Sequence, residues 1–137
     1  MKLFSTLALA LIPSSAFAVT IGYDSGYGIS TNSLANVACS NGANGLLTKG
    51  FTTYGSLPTF PNITSSDSIA GWNSPNCGTC WQLSYNGLTA TVIAIDHALS
   101  GFYTSQATLD ALTGGHAVEF GTVQGTATQV AASACGL

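Results

Sequence analysis

The sequence predicts a mainly β domain, a barrel or a sandwich, with one or two short helices and two disulfide bonds. Residues 81–85 alternate in polarity, and Asn86-Gly87 behind them is the dipeptide most typical of a two-residue hairpin turn. The returning strand, residues 88–95, ends in four consecutive apolar residues, a pattern typical of a strand that is covered on both faces. Four cysteines in a chain that begins like a secreted protein favour disulfides.

The first 18 residues have the features of a secretory signal peptide. Lys2 supplies a positive charge, residues 3–12 are an apolar run too short to span a bilayer, and Ala16-Phe17-Ala18 fits a small-x-small cleavage site. We therefore expect residues 1–18 to be removed and residues 19–137 to form one secreted domain, free or associated with a cell wall.

The composition excludes several classes of function. Only 5% of the residues are charged, and Lys49 is the only Lys or Arg after the signal peptide, so binding to nucleic-acid phosphates is not expected. No later apolar run approaches the roughly 20 residues of a membrane span. No metal or cofactor is expected, because Cys39 and Cys135 have no neighbour at the spacing of zinc ligands. Such a weakly charged surface suits neutral ligands and adsorption at interfaces.

The N-terminal half contains three further elements. Residues 19–29 predict a first strand followed by a turn, and residues 32–39 predict a short helix. Residues 46–68 contain two prolines and predict a surface loop. Asn62-Ile63-Thr64 is a glycosylation sequon, so Asn62 is a candidate attachment site in that loop.

The C-terminal half follows the hairpin. Residues 98–103 predict a loop, after which Thr104 or Ser105 can cap a helix that runs through Leu112 and ends near Gly114. Two last strands are expected near residues 117–123 and 127–132.

Residues 69–81 contain both tryptophans and two of the four cysteines. In Cys77-Gly-Thr-Cys80 a turn would send the two thiols in different directions, one bridge running back to Cys39 and the other forward to Cys135. Four cysteines permit three pairings. A redox motif is the competing interpretation, but it normally precedes a helix, whereas residues 81–85 predict a strand. We therefore interpret this segment as a structural clasp.

Two carboxylates are candidates for a site. Asp96 ends the buried strand next to His97, where it either contributes to a site or forms an Asx turn. Asp24 follows the first strand and could face Asp96 only if the two strands are neighbours. Glycoside hydrolysis needs two carboxyl groups about 5 to 9.5 Å apart, so this pair also allows a hydrolase.

The aromatic residues exceed what a core of this size requires, so some are expected on the surface. Exposed rings surrounded by Asn, Ser and Asp are typical of sites for neutral sugar chains. Trp81 opens a strand beside a disulfide and is expected in the core, whereas Trp72 suits either role. The tyrosines are Tyr23, Tyr27, Tyr54, Tyr85 and Tyr103.

Several motifs resemble the cerato-platanin family of small secreted fungal proteins: Cys39-Ser-Asn-Gly42, Ile69-Ala-Gly-Trp72, Cys77-Gly-Thr-Cys-Trp81 and Ile95-Asp96. The resemblance covers nearly all of residues 19–137. It implies a six-stranded double-psi β-barrel, related to the first domain of expansins and to barwin-like endoglucanases. It also implies the disulfide pairs Cys39–Cys77 and Cys80–Cys135.

The resemblance implies a non-catalytic protein that binds chitin oligomers, loosens polysaccharide networks as expansins do, self-assembles at interfaces and elicits plant defence. Asp96 and Asp24 match recurrent acidic positions of the family. After Asp96 this chain has His97-Ala-Leu-Ser, where the family often has Arg or Gly. The candidate carbohydrate-binding residues are Asp24, Asp96, Tyr23, Trp72, Asn73 and His97.

The expected partners are chitin or N-acetylglucosamine oligomers, other wall polysaccharides, further copies at interfaces and a plant surface receptor. Two other classes compete with this hypothesis. A cell-wall hydrolase would use Asp24 and Asp96 as acid and base. A structural film-forming protein would depend on the low charge and positive hydropathy.

Overall fold

The computed structural model describes residues 15–137, and within this range six strands close into a barrel. The strands are β1 (Ala16–Tyr23), β2 (Ile63–Ser66), β3 (Cys80–Tyr85), β4 (Leu88–His97), β5 (Phe102–Thr104) and β6 (Thr122–Val130). Around the barrel they follow the order β1, β5, β2, β4, β3 and β6, and β6 returns to β1. The prediction of a six-stranded barrel is confirmed.

Two pairs of strands are parallel, β1 with β5 and β2 with β4, and the other pairs are antiparallel. The predicted hairpin joins β3 to β4, with Tyr85 paired to Leu88. Asn86 and Gly87 both have positive φ, 52° and 84°, as a tight hairpin turn of the primed type requires.

The core lies inside the barrel and under the helix that follows β5. All four residues of the predicted buried run, 92–95, are fully buried, as that run predicted. Helix α1 (Gln106–Thr113) packs on β4 and contributes Leu109 and Leu112 to the core. Trp81 is also buried, and its ring packs edge-to-face with Phe102 at 5.1 Å between centroids. Trp81 therefore has the core position that was predicted.

Helix α1 begins and ends where the sequence indicates. The Ser105 Oγ accepts a hydrogen bond from the Thr108 backbone N–H, and Gly114 adopts the left-handed conformation at φ 68°. The expected strand near residues 117–123 is wrong, because Ala117–Phe120 forms a short helix, α2. The Ala117 N–H, the first of this helix, donates to the Asp110 carboxylate at 2.9 Å. The alternation of apolar and polar residues in 117–123 gives no indication of that contact.

Strands β2 and β5 lie where loops were expected. Residues 63–66 are all buried, although three of the four are Thr or Ser. They pair with β4 on one side and β5 on the other, and Thr64 Oγ1 donates to the Ser65 and Tyr103 carbonyls. Burial of these hydroxyls is therefore compensated by hydrogen bonds.

The last two residues of the sequon lie in β2 and not in a surface loop. Asn62 is half-buried, and its Oδ1 accepts a 2.8 Å hydrogen bond from Thr108 Oγ1. Thr64 is fully buried in β2. The loop expectation is thus wrong for residues 63–64, which belong to β2, whereas Asn62 lies just before the strand. Glycosylation of Asn62 stays a prediction.

Two other expectations are corrected. The short helix at residues 32–39 is reduced to a 3-10 turn, Leu34–Asn36, capped by Ser33. The two last strands are replaced by β6 alone, because α2 occupies most of the first and β6 continues through residues 124–126, which separated the two predicted strands. A Cβ on Gly125 would lie 2.4 Å from the Ser84 carbonyl oxygen, so this glycine permits close contact between β6 and β3.

All four cysteines form disulfides, and the implied pairing is confirmed. Cys39 joins Cys77 across 38 residues, and Cys80 joins Cys135 across 55 residues. The redox interpretation of the Cys77–Cys80 motif fails because neither cysteine is free and a strand begins at Cys80.

The expected signal peptide lies largely outside the described residues, which begin at residue 15. Residues 16–18 are part of β1 and pair with residues 126–128 of β6. Processing after Ala18 stays a prediction. In residues 15–137 no helix has the length and apolar character needed to cross a bilayer.

Candidate functional site

An open groove of about 390 Å³ lies at the end of the barrel where β1 and β4 end. β5 and β2 lie between these two strands in the barrel. Most of its lining is neutral and either hydroxylated or aromatic, which suits a ligand rich in hydroxyl groups. The lining residues are Asp24, Tyr27, Ser65, His97, Ala98, Leu99, Ser100 and Tyr103.

Asp24 is the one carboxylate among these lining residues. It follows β1 and caps the 3-10 turn Ser25–Gly28, with its Oδ1 accepting from the Gly26 N–H at 2.8 Å. The side chain is exposed. Since a carboxylate has about four acceptor positions and only one is used here, Asp24 can accept further hydrogen bonds from a ligand.

Asp96 lies behind the groove, half-buried near the end of β4. Its Oδ1 accepts from the backbone N–H groups of Ala38 and His97, both at 2.9 Å, and its Oδ2 accepts from the Tyr27 hydroxyl at 3.1 Å. These bonds join three segments of the chain. Asp96 therefore positions Tyr27, which lines the groove.

The strands that carry the two candidate carboxylates are not neighbours. β1 and β4 are separated by β5 and β2 in the barrel, but the turn after Asp24 carries Tyr27 across to Asp96. Burial, followed by the negative charges of Asp96 and then Asp24, raises the pKa of Tyr54. Both carboxylates thus act on the same ring, which lies 5.9 Å from that of Tyr27 between centroids.

The same environment affects Tyr27 more strongly. Burial is the largest cause of its raised pKa, and the negative charge of Asp96 is the next. Tyr27 therefore keeps its proton and acts as a hydrogen-bond donor to Asp96.

His97 lines the groove, and one of its ring nitrogens is already hydrogen-bonded. Its Nδ1 lies 2.6 Å from the Ile69 carbonyl oxygen, and a carbonyl only accepts, so Nδ1 carries a proton. Nε2 is left as an acceptor in the neutral ring. Leu99, at 95% exposure, forms an apolar rim on the same loop.

Tyr103 reaches the groove because Gly22 has no side chain. A Cβ on Gly22 would lie 2.5 Å from Cε2 of the Tyr103 ring. Sequence reasoning counted Tyr103 and Tyr27 only among the aromatic residues and missed Ser65, Leu99 and Ser100. Gly22 was the available signal, since a glycine inside a strand often marks a close approach.

Trp72 and Asn73 lie on another turn and do not line the groove. The Trp72 ring is 62% exposed, and its Nε1 donates to Asn41 Oδ1 at 2.7 Å. Asn73 has φ 60°, and its Oδ1 accepts from the Asn44 N–H at 2.9 Å. A Cβ on Gly42 would lie 3.0 Å from the indole, so this glycine lets the ring lie close over the turn.

The structure thus brings together some of the predicted residues. Asp24 and His97 line the groove, Asp96 supports it from behind, and Tyr23 ends β1 beside it, half-buried. Trp72 and Asn73 form a separate exposed platform. Residues 15–137 contain no cluster of three His, Cys, Asp or Glu side chains that could hold a metal ion.

Fold and groove together define a class of small disulfide-bonded β-barrel protein with an open, mostly neutral site. The cerato-platanin family model matches residues 19–137, and the chain belongs to this family. Cerato-platanin of Ceratocystis fimbriata f. sp. platani is 40% identical over 102 residues, which are 74% of this chain and 75% of that protein.

Solved structures agree with this assignment. The crystal structure of cerato-platanin 2 from M. perniciosa has a TM-score of 0.85 and 46% identity, covering 88% of this chain and 100% of that one. The solution structure of the fungal elicitor cerato-platanin has a TM-score of 0.77 and 38% identity, covering 85% and 96% of the two chains. The resemblance drawn from the motifs is confirmed.

Proposed function

We propose that this protein is a secreted, non-catalytic carbohydrate-binding protein that holds a neutral wall polysaccharide in the groove at Asp24 and His97. Chitin, through its N-acetylglucosamine units, is the proposed ligand. The observation that carries the proposal is the lining of the groove, where hydroxyl and aromatic groups surround a single exposed carboxylate with unused acceptor positions. Such a lining can exchange hydrogen bonds with sugar hydroxyls without a charged partner.

The hydrogen bonds of Asp96 support binding over hydrolysis. A glycosidase of the usual kind needs two carboxyl groups that flank the scissile bond. Both oxygens of Asp96 already accept from the chain itself, and Asp96 is not among the residues that line the groove. Asp24 alone then faces the ligand, which favours a protein that holds sugar chains and does not cleave them.

An open groove also suits loosening of a polysaccharide network. A single chain that lies along Asp24, Tyr103 and His97 would exchange hydrogen bonds with neighbouring chains for hydrogen bonds with the protein. The exposed Trp72 platform offers a flat ring for stacking with sugars further along the same polymer. No chemical step is required for such exchange.

We expect Asp24→Asn to weaken binding of an N-acetylglucosamine oligomer by about three- to tenfold, because one charge-assisted hydrogen bond becomes a neutral one. Asp110→Asn is the matched control, since Asp110 lies on α1 outside the groove. The measurement is a titration by nuclear magnetic resonance, with saturable shifts expected at residues 24, 97 and 103.

Two outcomes would contradict this proposal. Absence of saturable shifts around the groove would remove the binding site. Sustained release of reducing sugar from chitin or cellulose by the purified protein, lost in Asp24→Asn, would replace binding by hydrolysis.

We propose self-association at interfaces as a second function, because large apolar side chains are exposed on a weakly charged surface. Leu99 is 95% exposed and Val118 66% exposed. We expect the protein to lower the surface tension of water at mildly acidic pH, and Leu99→Ser/Val118→Ser to do so less than Ala111→Ser. Equal surface activity of the two variants would contradict this role for the exposed residues.

We also propose that the protein elicits plant defence through a surface receptor, because it belongs to the cerato-platanin family. The related structure is that of a protein described as a fungal elicitor. Application of the folded protein and of its reduced form to plant leaves would test it, since a receptor that recognises the barrel should respond only to the folded form.

A further inference from the structure

A second cavity, of about 530 Å³, lies at the place where β6 ends and β3 begins. Its volume falls within the roughly 300–1,000 Å³ of typical small-molecule sites. The walls are mainly apolar and include Phe51, Val130, Leu137 and the disulfide-bonded Cys77 and Cys80. The cavity shares no lining residue with the groove at Asp24.

Lys49 lines this apolar cavity, and it is the only Lys or Arg in residues 15–137. A Cβ placed on Gly78 would lie 3.8 Å from Lys49 Nζ and 4.0 Å from Leu137 Cδ1, so the ammonium group and an apolar wall face one point. Among residues 15–137, Lys49 Nζ donates one long hydrogen bond, 3.4 Å, to the Asn44 carbonyl. Within the described chain Lys49 forms no ion pair.

The walls of this cavity are held in place by disulfide bonds and hydrogen bonds within the protein. Both disulfides begin at its wall, and Gly78, with φ 79°, leaves the space that a side chain would fill. Thr79 Oγ1 is held between the Asn76 carbonyl at 2.8 Å and the Trp81 indole N–H at 2.9 Å. Binding would therefore cost little ordering of the protein, and Trp81 is coupled to the cavity through Thr79.

We propose that this cavity binds a linear amphipathic monocarboxylate of the fatty-acid type. The hydrocarbon chain lies against Phe51, Val130 and Leu137, and the carboxylate pairs with Lys49. A single cation beside apolar walls matches one negative charge on an apolar body. It does not match a phosphate or a sugar, which would leave polar groups against those walls unpaired. This site is independent of the carbohydrate groove.

The test compares decanoate with decanol, both below the concentration at which decanoate forms micelles. The protein carries Trp72→Phe, so that Trp81 alone reports by fluorescence, and amide shifts map the site. We expect saturable decanoate binding with shifts at Gly78, Thr79 and Gly136.

Three variants separate the contributions. Lys49→Gln should weaken decanoate binding by about three- to fivefold, the size expected of an exposed ion pair, and leave decanol binding unchanged. Ala132→Phe, at the cavity wall, should weaken both ligands by about tenfold by filling apolar space. Ala111→Phe, exposed on α1 away from the cavity, should weaken neither.

Each contrary result overturns the proposal. Absence of saturable binding, or shifts that avoid the cavity, removes the site. Equal effects of Ala132→Phe and Ala111→Phe indicate adsorption on the general surface. Unchanged decanoate affinity in Lys49→Gln shows that the cation does not select the carboxylate.

Discussion

Replacing Cys80 and Cys135 by serine is expected to lower the free energy of unfolding by about 4 kcal/mol, since the bridge closes a long loop and removes conformational freedom from the unfolded chain. The loop spans 55 residues. Both cysteines are buried, so the serine hydroxyls that replace them are withdrawn from bulk water, which adds to the loss. Urea denaturation at neutral pH measures the change as a shift of the midpoint.

The Cys39→Ser/Cys77→Ser variant is the matched comparison. Its loop of 38 residues is shorter, but the logarithmic dependence on loop length makes the expected loss almost the same, again about 4 kcal/mol. Full reduction should then remove about 8 kcal/mol from a total that is usually about 5 to 15 kcal/mol, and the fold and ligand binding should disappear together. A loss below about 1 kcal/mol in either variant would contradict the loop-closure argument.

Replacing Asp96 by alanine is expected to destabilise the protein by about 2–3 kcal/mol, because the hydrogen bonds to its carboxylate are lost and the donor groups are left without an acceptor. The donors are the Ala38 and His97 N–H groups and the Tyr27 hydroxyl. Asp24→Ala is the control, and loss of its cap on an exposed turn should cost about 1 kcal/mol. Similar losses in the two variants would mean that Asp96 does not join the segments as described.

Tyrosine ionisation gives an independent measure of the same contact. The pKa of Tyr27 is raised in the folded protein, so the folded state holds the phenol proton more tightly than the unfolded state does. The resulting stabilisation is fully present below the ordinary tyrosine pKa near 10 and is lost as the pH rises from there through the raised pKa. In Asp96→Ala the negative charge is absent, and Tyr27 should ionise at lower pH. Ultraviolet absorbance of tyrosinate measures this shift, which Asp24→Ala should not produce to the same extent.

Local chemistry made part of this fold predictable. Asn86-Gly87 specifies its turn through positive φ at both positions, and Ser105 and Gly114 define the ends of α1 through their own backbone and side-chain preferences. The disulfides could be assigned because the family motifs surround the cysteines. Each of these signals lies within a few residues of the feature that it predicts.

The missed elements depend on contacts between distant parts of the chain. Residues 63–66 form a strand only because β4 and β5 supply partners on both sides, and nothing in Ile-Thr-Ser-Ser indicates that burial. The groove has the same limitation. The sequence could nominate Asp24, Asp96 and His97, but not that Tyr27 bridges to Asp96 or that Gly22 admits Tyr103.

The pairing of β1 with β6 also determines when the barrel can close during synthesis. β1 spans Ala16–Tyr23, and its partner β6 spans Thr122–Val130, so the two strands are far apart in sequence. The β3–β4 hairpin can form while the chain is still emerging, because its two strands are adjacent in sequence. The first strand, however, has no lasting neighbours until residues 102–130 have followed it. Closure of the barrel therefore cannot precede synthesis of β6, whereas the hairpin needs only its own two strands.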